Sequence, residues 1–459
     1  MSFSRSSPST VMNNSMKKIS LLLLSVAVLL TACGESQLPS PTGKGRISAI
    51  NAIPQSPSVL FLIEERSLAN VNYQETSGTQ LFDNFSYKFN FDIVNPGAIE
   101  RTRVATEEFQ VETDKDYILL LTGQLDAPDV TIWENDIPEF AEGATNLLIR
   151  FAHTAASYNG IDFYLTEEAL LPDLGAVHAS LTFGNISEPV SFEPGSYVIT
   201  LTAAGDAGDI LYQSVPITYT ELSDVVIAPF DGDENDIGPL SVKGIFASGG
   251  AVNYPNPSEQ SSSRYIHAAF DAGLTDVYID ADLLDPVLED HAFGDVTDDL
   301  PDDWGTRTIS YTEAGNSGNI LTQAAVLLTQ AVRVENVLVG ADGTYTILSS
   351  TPDRRSISNA ARVQFLNTAT NFGFLNIYAV DAGTLIDDVF PNRSGVGLGS
   401  NEQLFLTAGQ YDLYVTPFDE KTILDGPVAI DVALGDVLDL LILDKVETSE
   451  VELRFIPVP

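Results

Sequence analysis

The sequence predicts an all-β fold of tandem antiparallel β-sandwich domains, and three observations lead to this prediction. Apolar and polar residues alternate over stretches of about four to eight positions, the pattern of strands that bury one face. Gly, Pro, Asn or Asp separates these stretches at intervals of roughly eight to twelve residues. The same set of stretches also recurs along the chain. Such strands normally hide their apolar faces between two packed sheets, so immunoglobulin-like sandwiches are expected.

The repeat is clearest in a strand that ends with Asn or His followed by small residues. These strand ends are Asn51, His153, His267 and Asn367, which makes the repeating unit about one hundred residues long. In the last three copies a second apolar strand follows after a short turn. The spacing predicts four domains, the first being the most divergent. With one cysteine in the chain, no internal disulfide can form, and each domain must depend on its core.

The amino-terminal region has the pattern of a targeting segment. Met16 to Cys33 reads MKKISLLLLSVAVLLTAC, in which Lys17 and Lys18 precede a mostly apolar stretch. That stretch is shorter than the about 20 residues needed to span a bilayer, and it is typical of a signal-peptide core.

The four residues that end this segment, Leu30 to Cys33, resemble the lipobox of bacterial lipoprotein precursors. The resemblance implies that the Cys33 thiol accepts diacylglycerol and becomes residue one of the mature protein, held in the membrane by two or three acyl chains. Gly34 rather than Asp after the cysteine implies the outer membrane, if the cell has one. An ordinary cleaved signal peptide with an incidental cysteine, or a buried core thiol, remains as an alternative.

The predicted organisation follows from the repeat and the lipobox together. It is a signal peptide at 1–32, a lipidated cysteine and tether at 33–44, and β-sandwich domains at 45–138, 146–247, 263–350 and 358–459.

The net charge of the chain limits the kinds of molecule that it can bind. The chain has 22 Lys+Arg against 64 Asp+Glu, a net charge of -42. A surface this negative repels nucleic acid, so no DNA or RNA partner is expected. The acidity either keeps an exported protein soluble or includes carboxylates that bind Ca²⁺.

The acidic loop that begins at Asp231 is the one candidate metal site. Asp231, Asp233, Asn235 and Asp236 provide alternate oxygen donors, as calcium loops do. However, Asp236 occupies the position where an EF-hand needs glycine, and Val242 the position where it needs glutamate. An EF-hand is therefore excluded, a looser Ca²⁺ site is left open, and no other cofactor is expected.

No catalytic motif is present in the sequence. The four histidines are His153, His178, His267 and His291. His153 and His267 hold equivalent strand ends in different domains, where a hydrogen bond to the backbone is the expected role because Asn serves equally well. The G-x-S-x-G, H-E-x-x-H and P-loop patterns are absent, so no enzyme activity is predicted.

Together, an R-x-x-H-A-like strand, a D-V-Y-like strand and an a-G-x-Y-x-V hairpin resemble the bacterial family called domain of unknown function 4397. The residues that carry the resemblance are Arg264, His267, Ala268, Asp276, Val277 and Tyr278, then Arg150, His153, Asp162 and Tyr164. The resemblance implies an exported, often lipid-anchored surface protein with tandem copies, and it implies no activity.

Two functions agree with these observations. The first is a lipid-anchored array of domains in the cell envelope that presents strand edges and loops to proteins or glycans, or acts as a surface spacer. The second is a carbohydrate-binding lipoprotein that captures polysaccharide on exposed aromatic residues such as Trp133 and Trp304, although Trp304, at the start of a hairpin, is expected to pack inside.

Overall fold

The computed structural model describes residues 40–168, 173–247, 249–280, 283–445 and 450–458. Its strands all lie in one compact unit, Lys44–Pro459, and this described part of the chain contains no α-helix. The strands form eight sheets that pack in twos as four sandwiches. The predicted all-β fold with tandem sandwich domains is confirmed, whereas the predicted signal peptide at 1–32 lies outside the described residues.

Alternating apolar residues produce the strands of each domain. The first domain contains β1 Lys44–Asn51, β2 Val59–Ile63, β3 Arg66–Val71, β4 Glu75–Thr76, β5 Gln80–Asp83, β6 Ser86–Val94, β7 Arg101–Gln110, β8 Lys115–Gln124 and β9 Ala127–Asp136. The second contains β10 Leu147–Phe151, β11 Gly160–Glu167, β12 Ala179–Thr182, β13 Val190–Phe192, β14 Gly195–Ala203, β15 Ile210–Gln213, β16 Ile217–Tyr219, β17 Asp224–Asp231, β18 Leu240–Phe246 and β19 Ala251–Asn253.

The other two domains repeat this plan. The third contains β20 Ser261–His267, β21 Thr275–Ile279, β22 Leu288–His291, β23 Leu300–Asp302, β24 Gly305–Glu313, β25 Asn316–Leu328, β26 Arg333–Ala341 and β27 Thr344–Ser350. The fourth contains β28 Ala361–Asn367, β29 Phe374–Asp381, β30 Arg393–Gly397, β31 Asn401–Leu406, β32 Gly409–Pro417, β33 Asp425–Val432, β34 Val437–Asp444 and β35 Val451–Ile456.

Each domain has one sheet with a parallel strand pair and one sheet that is antiparallel throughout. The parallel pairs are β1 with β8, β10 with β17, β20 with β26 and β28 with β34. The four sheets that hold them have the strand orders β4-β1-β8-β9, β13-β10-β17-β18-β19, β23-β20-β26-β27 and β31-β28-β34-β35. The opposite sheets are β3-β2-β6-β7, β12-β11-β14-β15, β22-β21-β24-β25 and β30-β29-β32-β33.

A hydrophobic core fills the space between the two sheets of every domain, as period-two strands require. The second core extends beyond the range predicted for that domain. Strand β19 pairs with β18, and the following Tyr254 is buried in the core, although both lie between the predicted domains at 146–247 and 263–350.

A second kind of apolar layer joins the domains in twos. Strands β1 and β8 of the first domain bury their outer face against β17 and β18 of the second, in a layer of ten buried apolar side chains. The third and fourth domains pack in the same way through β20, β26, β28 and β34. The central parallel strands are therefore covered on both faces, and each pair of domains is a stack of four sheets.

Candidate functional site

Of the residues that the sequence marked for function, Cys33 lies outside the described residues. Most of the others lie in the loop that begins at Asp231, at the ends of the first strands, or at the junctions between domains.

The acidic loop after β17 uses its oxygen atoms within the protein. Asp231 accepts a hydrogen bond from the backbone N–H of Ser157 at 3.1 Å. Asp236 Oδ2 accepts from Gln74 Nε2 of the first domain at 2.8 Å and from the backbone N–H of Asp233 at 2.9 Å. The loop thereby connects the second domain to the first.

The same loop also binds the segment between the third and fourth domains. Asn235 donates through Nδ2 to Asp353 Oδ1 at 2.7 Å and accepts the backbone N–H of Arg354 at 2.6 Å. The Arg355 guanidinium lies 3.8 Å from Asp233, whose pKa is raised to about 6 by burial and by the nearby Asp236 carboxylate. Across the described ranges, no group of three or more His, Cys, Asp or Glu side chains is arranged to hold a metal ion.

The equivalent Asn and His residues at the ends of the first strands are fully buried. His267 donates through Nε2 to the carbonyl oxygen of Gly273 at 3.0 Å. Asn367 donates through Nδ2 to the carbonyl oxygen of Val396 in β30 at 3.0 Å, so in the third and fourth domains the His and the Asn each donate to a backbone carbonyl group. Burial lowers the pKa of His153 and of His267 to about 4, which keeps both imidazoles neutral near pH 7.

His178 and His291 belong to the interiors of their own domains. His178 donates through Nε2 to the carbonyl oxygen of Leu165 at 3.1 Å. His291 is buried with its ring centroid 5.8 Å from that of His267, and burial lowers its pKa. Of the four histidines, only His267 and His291 lie ring against ring.

Buried charges lie at the contact between the first two domains. Arg46 reaches Asp116 and Asp224 at 3.3 and 3.2 Å, and Arg150 reaches the same two carboxylates at 3.0 and 3.2 Å. Each domain supplies one arginine and one aspartate. The four charges balance, as a buried ionic cluster requires.

The two tryptophans occupy opposite environments, and both expectations for them were wrong. Trp133 is 5% exposed within the layer between the first two domains, and its Nε1 donates to the carbonyl oxygen of Gly184 at 2.8 Å. Trp304 is 65% exposed rather than packed. Trp133 therefore cannot belong to an exposed aromatic face.

A cleft between the first and fourth domains is the feature that the sequence did not indicate. It has a volume of about 810 Å³, and its walls carry amide and arginine side chains around the exposed ring of Phe405. A second hollow of about 860 Å³ adjoins it. Asn359 donates to Asn95 Oδ1 at 2.9 Å, and this contact lies between the two hollows, since both residues line each of them.

The described part of the chain contains no helix that is long and apolar enough to cross a membrane.

Comparison with known families identifies the repeat. The family model described as Domain of unknown function (DUF4397) matches residues 45–164 and again residues 261–378, together more than half of the chain. The chain therefore belongs to the DUF4397 family. Each DUF4397 match covers one sandwich and continues into the second strand of the next, β11 or β29.

No curated protein matches this DUF4397 chain in sequence. Among solved structures, the Bacillus anthracis TIE protein is similar with 10% identity and a TM-score of 0.16, over 88% of this chain and 69% of that one. A family CBM26 module of Eubacterium rectale Amy13K, solved with maltoheptaose, has 11% identity and a TM-score of 0.16, over 44% of this chain and 98% of that one.

Proposed function

We propose that this protein is a non-catalytic, lipid-anchored component of the cell envelope that presents its tandem β-sandwich domains for interaction with proteins or glycans, or serves as a surface spacer. In this proposal Cys33 carries the lipid, and the outer membrane is the location in a cell that has one.

The observation that supports a non-catalytic role is where the reactive side chains lie. Asp236 and Asn235, in the loop that starts at Asp231, hydrogen-bond across domain boundaries, and the strand-end residues His267 and Asn367 hydrogen-bond to backbone carbonyl groups. These residue types would supply acid–base or metal chemistry in an enzyme, whereas here they hold the architecture together.

The lipid anchor rests on the Leu30 to Cys33 motif, and the chain offers a simple test because Cys33 is its only cysteine. Cells that express the full chain or the Cys33→Ser variant are grown with an alkyne-tagged fatty acid. We expect the full chain to take up the label and to sediment with membranes, and the Cys33→Ser variant to remain unlabelled. Equal labelling of the two, or recovery of the unmodified full chain from the soluble fraction, would refute the anchor.

Carbohydrate binding is a second candidate function, and the cleft between the first and fourth domains favours it. Amide side chains and an exposed aromatic ring lie together there, which is the combination that binds hydroxyl groups and the apolar faces of sugars.

A further inference from the structure

The cleft between the first and fourth domains has the size and position of a ligand site. Its volume of about 810 Å³ falls in the range of roughly 300–1,000 Å³ that small-molecule sites occupy, and such sites often form where domains meet. We refer to the hollow lined by Asn70, Asn72, Arg362 and Phe405 as the 1–4 cleft.

The first domain contributes the face of a sheet to this cleft. Leu60 on β2 and Asn70 on β3 lie opposite each other. Their neighbours along the strands, Val59, Phe61 and Val71, fill the core. Because successive side chains of a strand point to opposite faces, Leu60 and Asn70 point away from the core. Asn70 and Asn72 are exposed, and neither side chain hydrogen-bonds to another described residue. Both amides are therefore available to a ligand as donors and acceptors.

The fourth domain contributes an aromatic ring and a further amide. Phe405 is 42% exposed, and the guanidinium carbon of Arg362 lies 5.6 Å from its ring centroid. This contact holds the ring from one side. Gln403 donates through Nε2 to Gln364 at 3.0 Å, which fixes the amide and leaves its Oε1 without a partner among the described residues.

The connecting segment supplies a buried acceptor between the two walls. Asn359 donates through Nδ2 to Asn95, while its Oδ1 is buried and has no hydrogen-bond partner in the described structure. A buried acceptor without a partner is costly, so this amide is a strained part of the segment that joins the two walls.

The charges of the cleft decide between an anionic and a neutral ligand. Three arginines line it, and each already has a carboxylate: Arg362 is paired with Asp353, Arg355 lies 3.8 Å from Asp233, and Arg393 lies 3.3 Å from Glu402. No arginine charge is left to neutralise an anion, and the net charge of -42 repels one. A ligand with many hydroxyl groups and no charge fits best.

We infer that the 1–4 cleft binds a neutral oligosaccharide, with Phe405 stacked on the apolar face of one sugar ring and the amides of Asn70 and Asn72 bound to its hydroxyl groups. This inference rests on the proposed function and names the ligand class of its glycan-binding alternative. A saccharide is the neutral ligand that offers both hydroxyl groups to these amides and an apolar ring face to Phe405.

Calorimetric titration of the full-length chain in detergent tests the inference. The neutral probes are maltohexaose, cellohexaose, mannohexaose and chitohexaose, and the comparison ligands are hexagalacturonate and a poly-glutamate peptide. We expect at least one neutral hexasaccharide to bind. Phe405→Ala, and separately Asn70→Ala with Asn72→Ala, should each weaken that binding about tenfold or more, which corresponds to the loss of one good stacking contact or of two hydrogen bonds.

The matched control is Phe390→Ala, which removes a ring that is 90% exposed and lies outside the cleft. It should leave the affinity within about twofold. Because all three changes are at exposed positions, the unfolding temperature of each variant is expected to equal that of the parent, and this is measured alongside.

Three results would overturn the inference: no binding of any neutral probe, binding that the cleft variants leave unchanged, or tighter binding of hexagalacturonate or of the peptide. Cleavage of a bound probe is a different outcome. It would refute the non-catalytic function while supporting the cleft as the saccharide site, so failure of one proposal can be told from failure of the other.

Discussion

Arg150 Nη2 lies 3.0 Å from Asp116 Oδ2, so a buried ion pair joins the second domain to the first. Arg46 also binds this carboxylate, and Asp224 completes the cluster from the other domain. The cluster joins two domains whose contact is otherwise a layer of apolar side chains.

Removing one member of this cluster should therefore lower the free energy of unfolding. Asp116→Ala leaves two arginines with one carboxylate, and we expect the first unfolding transition in urea to lose about 3–5 kcal/mol, the usual effect of an uncompensated buried charge. The fluorescence of the buried Trp133 reports this transition. The matched control is Asp83→Ala, which breaks the largely exposed pair with Lys44 and should cost less than about 1 kcal/mol. Equal losses in the two variants would contradict the role of the cluster.

The buried histidines should make the protein sensitive to acid. Burial lowers the pKa of His153 and of His267 to about 4, against an ordinary value of 6.5. Between these values the unfolded chain binds protons that the folded chain does not, so stability is complete above pH 6.5 and falls as the pH drops to 4. The loss is on the order of 3 kcal/mol for each histidine. The urea midpoint measured across this range checks the direction.

The natural control is asparagine, which two of the four domains carry at this position. A variant with His153→Asn and His267→Asn should have a flatter dependence of the urea midpoint on pH between 6.5 and 4. His291 remains in that variant, and its own lowered pKa leaves a smaller dependence. An unchanged slope would show that the acid sensitivity arises from other groups.

The two tryptophans should give separable fluorescence signals. Trp304→Phe leaves the buried Trp133, and we expect a blue-shifted emission that acrylamide quenches poorly. Trp133→Phe leaves the exposed Trp304, and we expect red-shifted, readily quenched emission. This second change also removes the hydrogen bond to Gly184, so the contact between the first two domains should weaken by about 1–3 kcal/mol. Similar quenching of the two variants would contradict the buried position of Trp133.

Calcium should leave the stability unchanged. The oxygen atoms of Asp231, Asn235 and Asp236 already accept hydrogen bonds from protein groups, so binding Ca²⁺ would require breaking these bonds, of which those of Asn235 and Asp236 cross domain boundaries. We expect the same unfolding temperature with millimolar CaCl₂ and with EDTA. A rise with calcium that Asp236→Asn abolishes would instead establish a metal site in this loop.

The sequence predicted the strands well, because the alternation of apolar and polar residues depends only on which face of a strand is buried. It also contained continuous apolar runs, which this alternation does not explain. Tyr117 to Leu121 is a continuous apolar run in β8, and Leu440 to Leu443 is the corresponding run in β34. Such runs are typical of strands covered on both faces. They could have predicted that the domains stack in twos.

Other features depend on partners that the sequence pattern cannot specify. The parallel pairing aligns Arg46 with Asp116, and no turn or local motif connects positions so far apart. The 1–4 cleft could not be predicted from the sequence either, because Asn70 and Phe405 belong to different domains and neither is part of a repeated motif. These residues meet only through the packing of whole domains, which a period-two pattern does not encode.

The apolar layer between partnered domains has a consequence for how such chains are built. The two family matches start at residues 45 and 261, two domains apart, in step with the two stacks. A chain cut to an odd number of domains would expose Ile50, Ile118 and Leu120, or their counterparts, to water and would tend to aggregate. Duplication or deletion in this lineage should therefore preserve even numbers, and engineered truncations should be made at the boundary near residue 256 rather than within a stack.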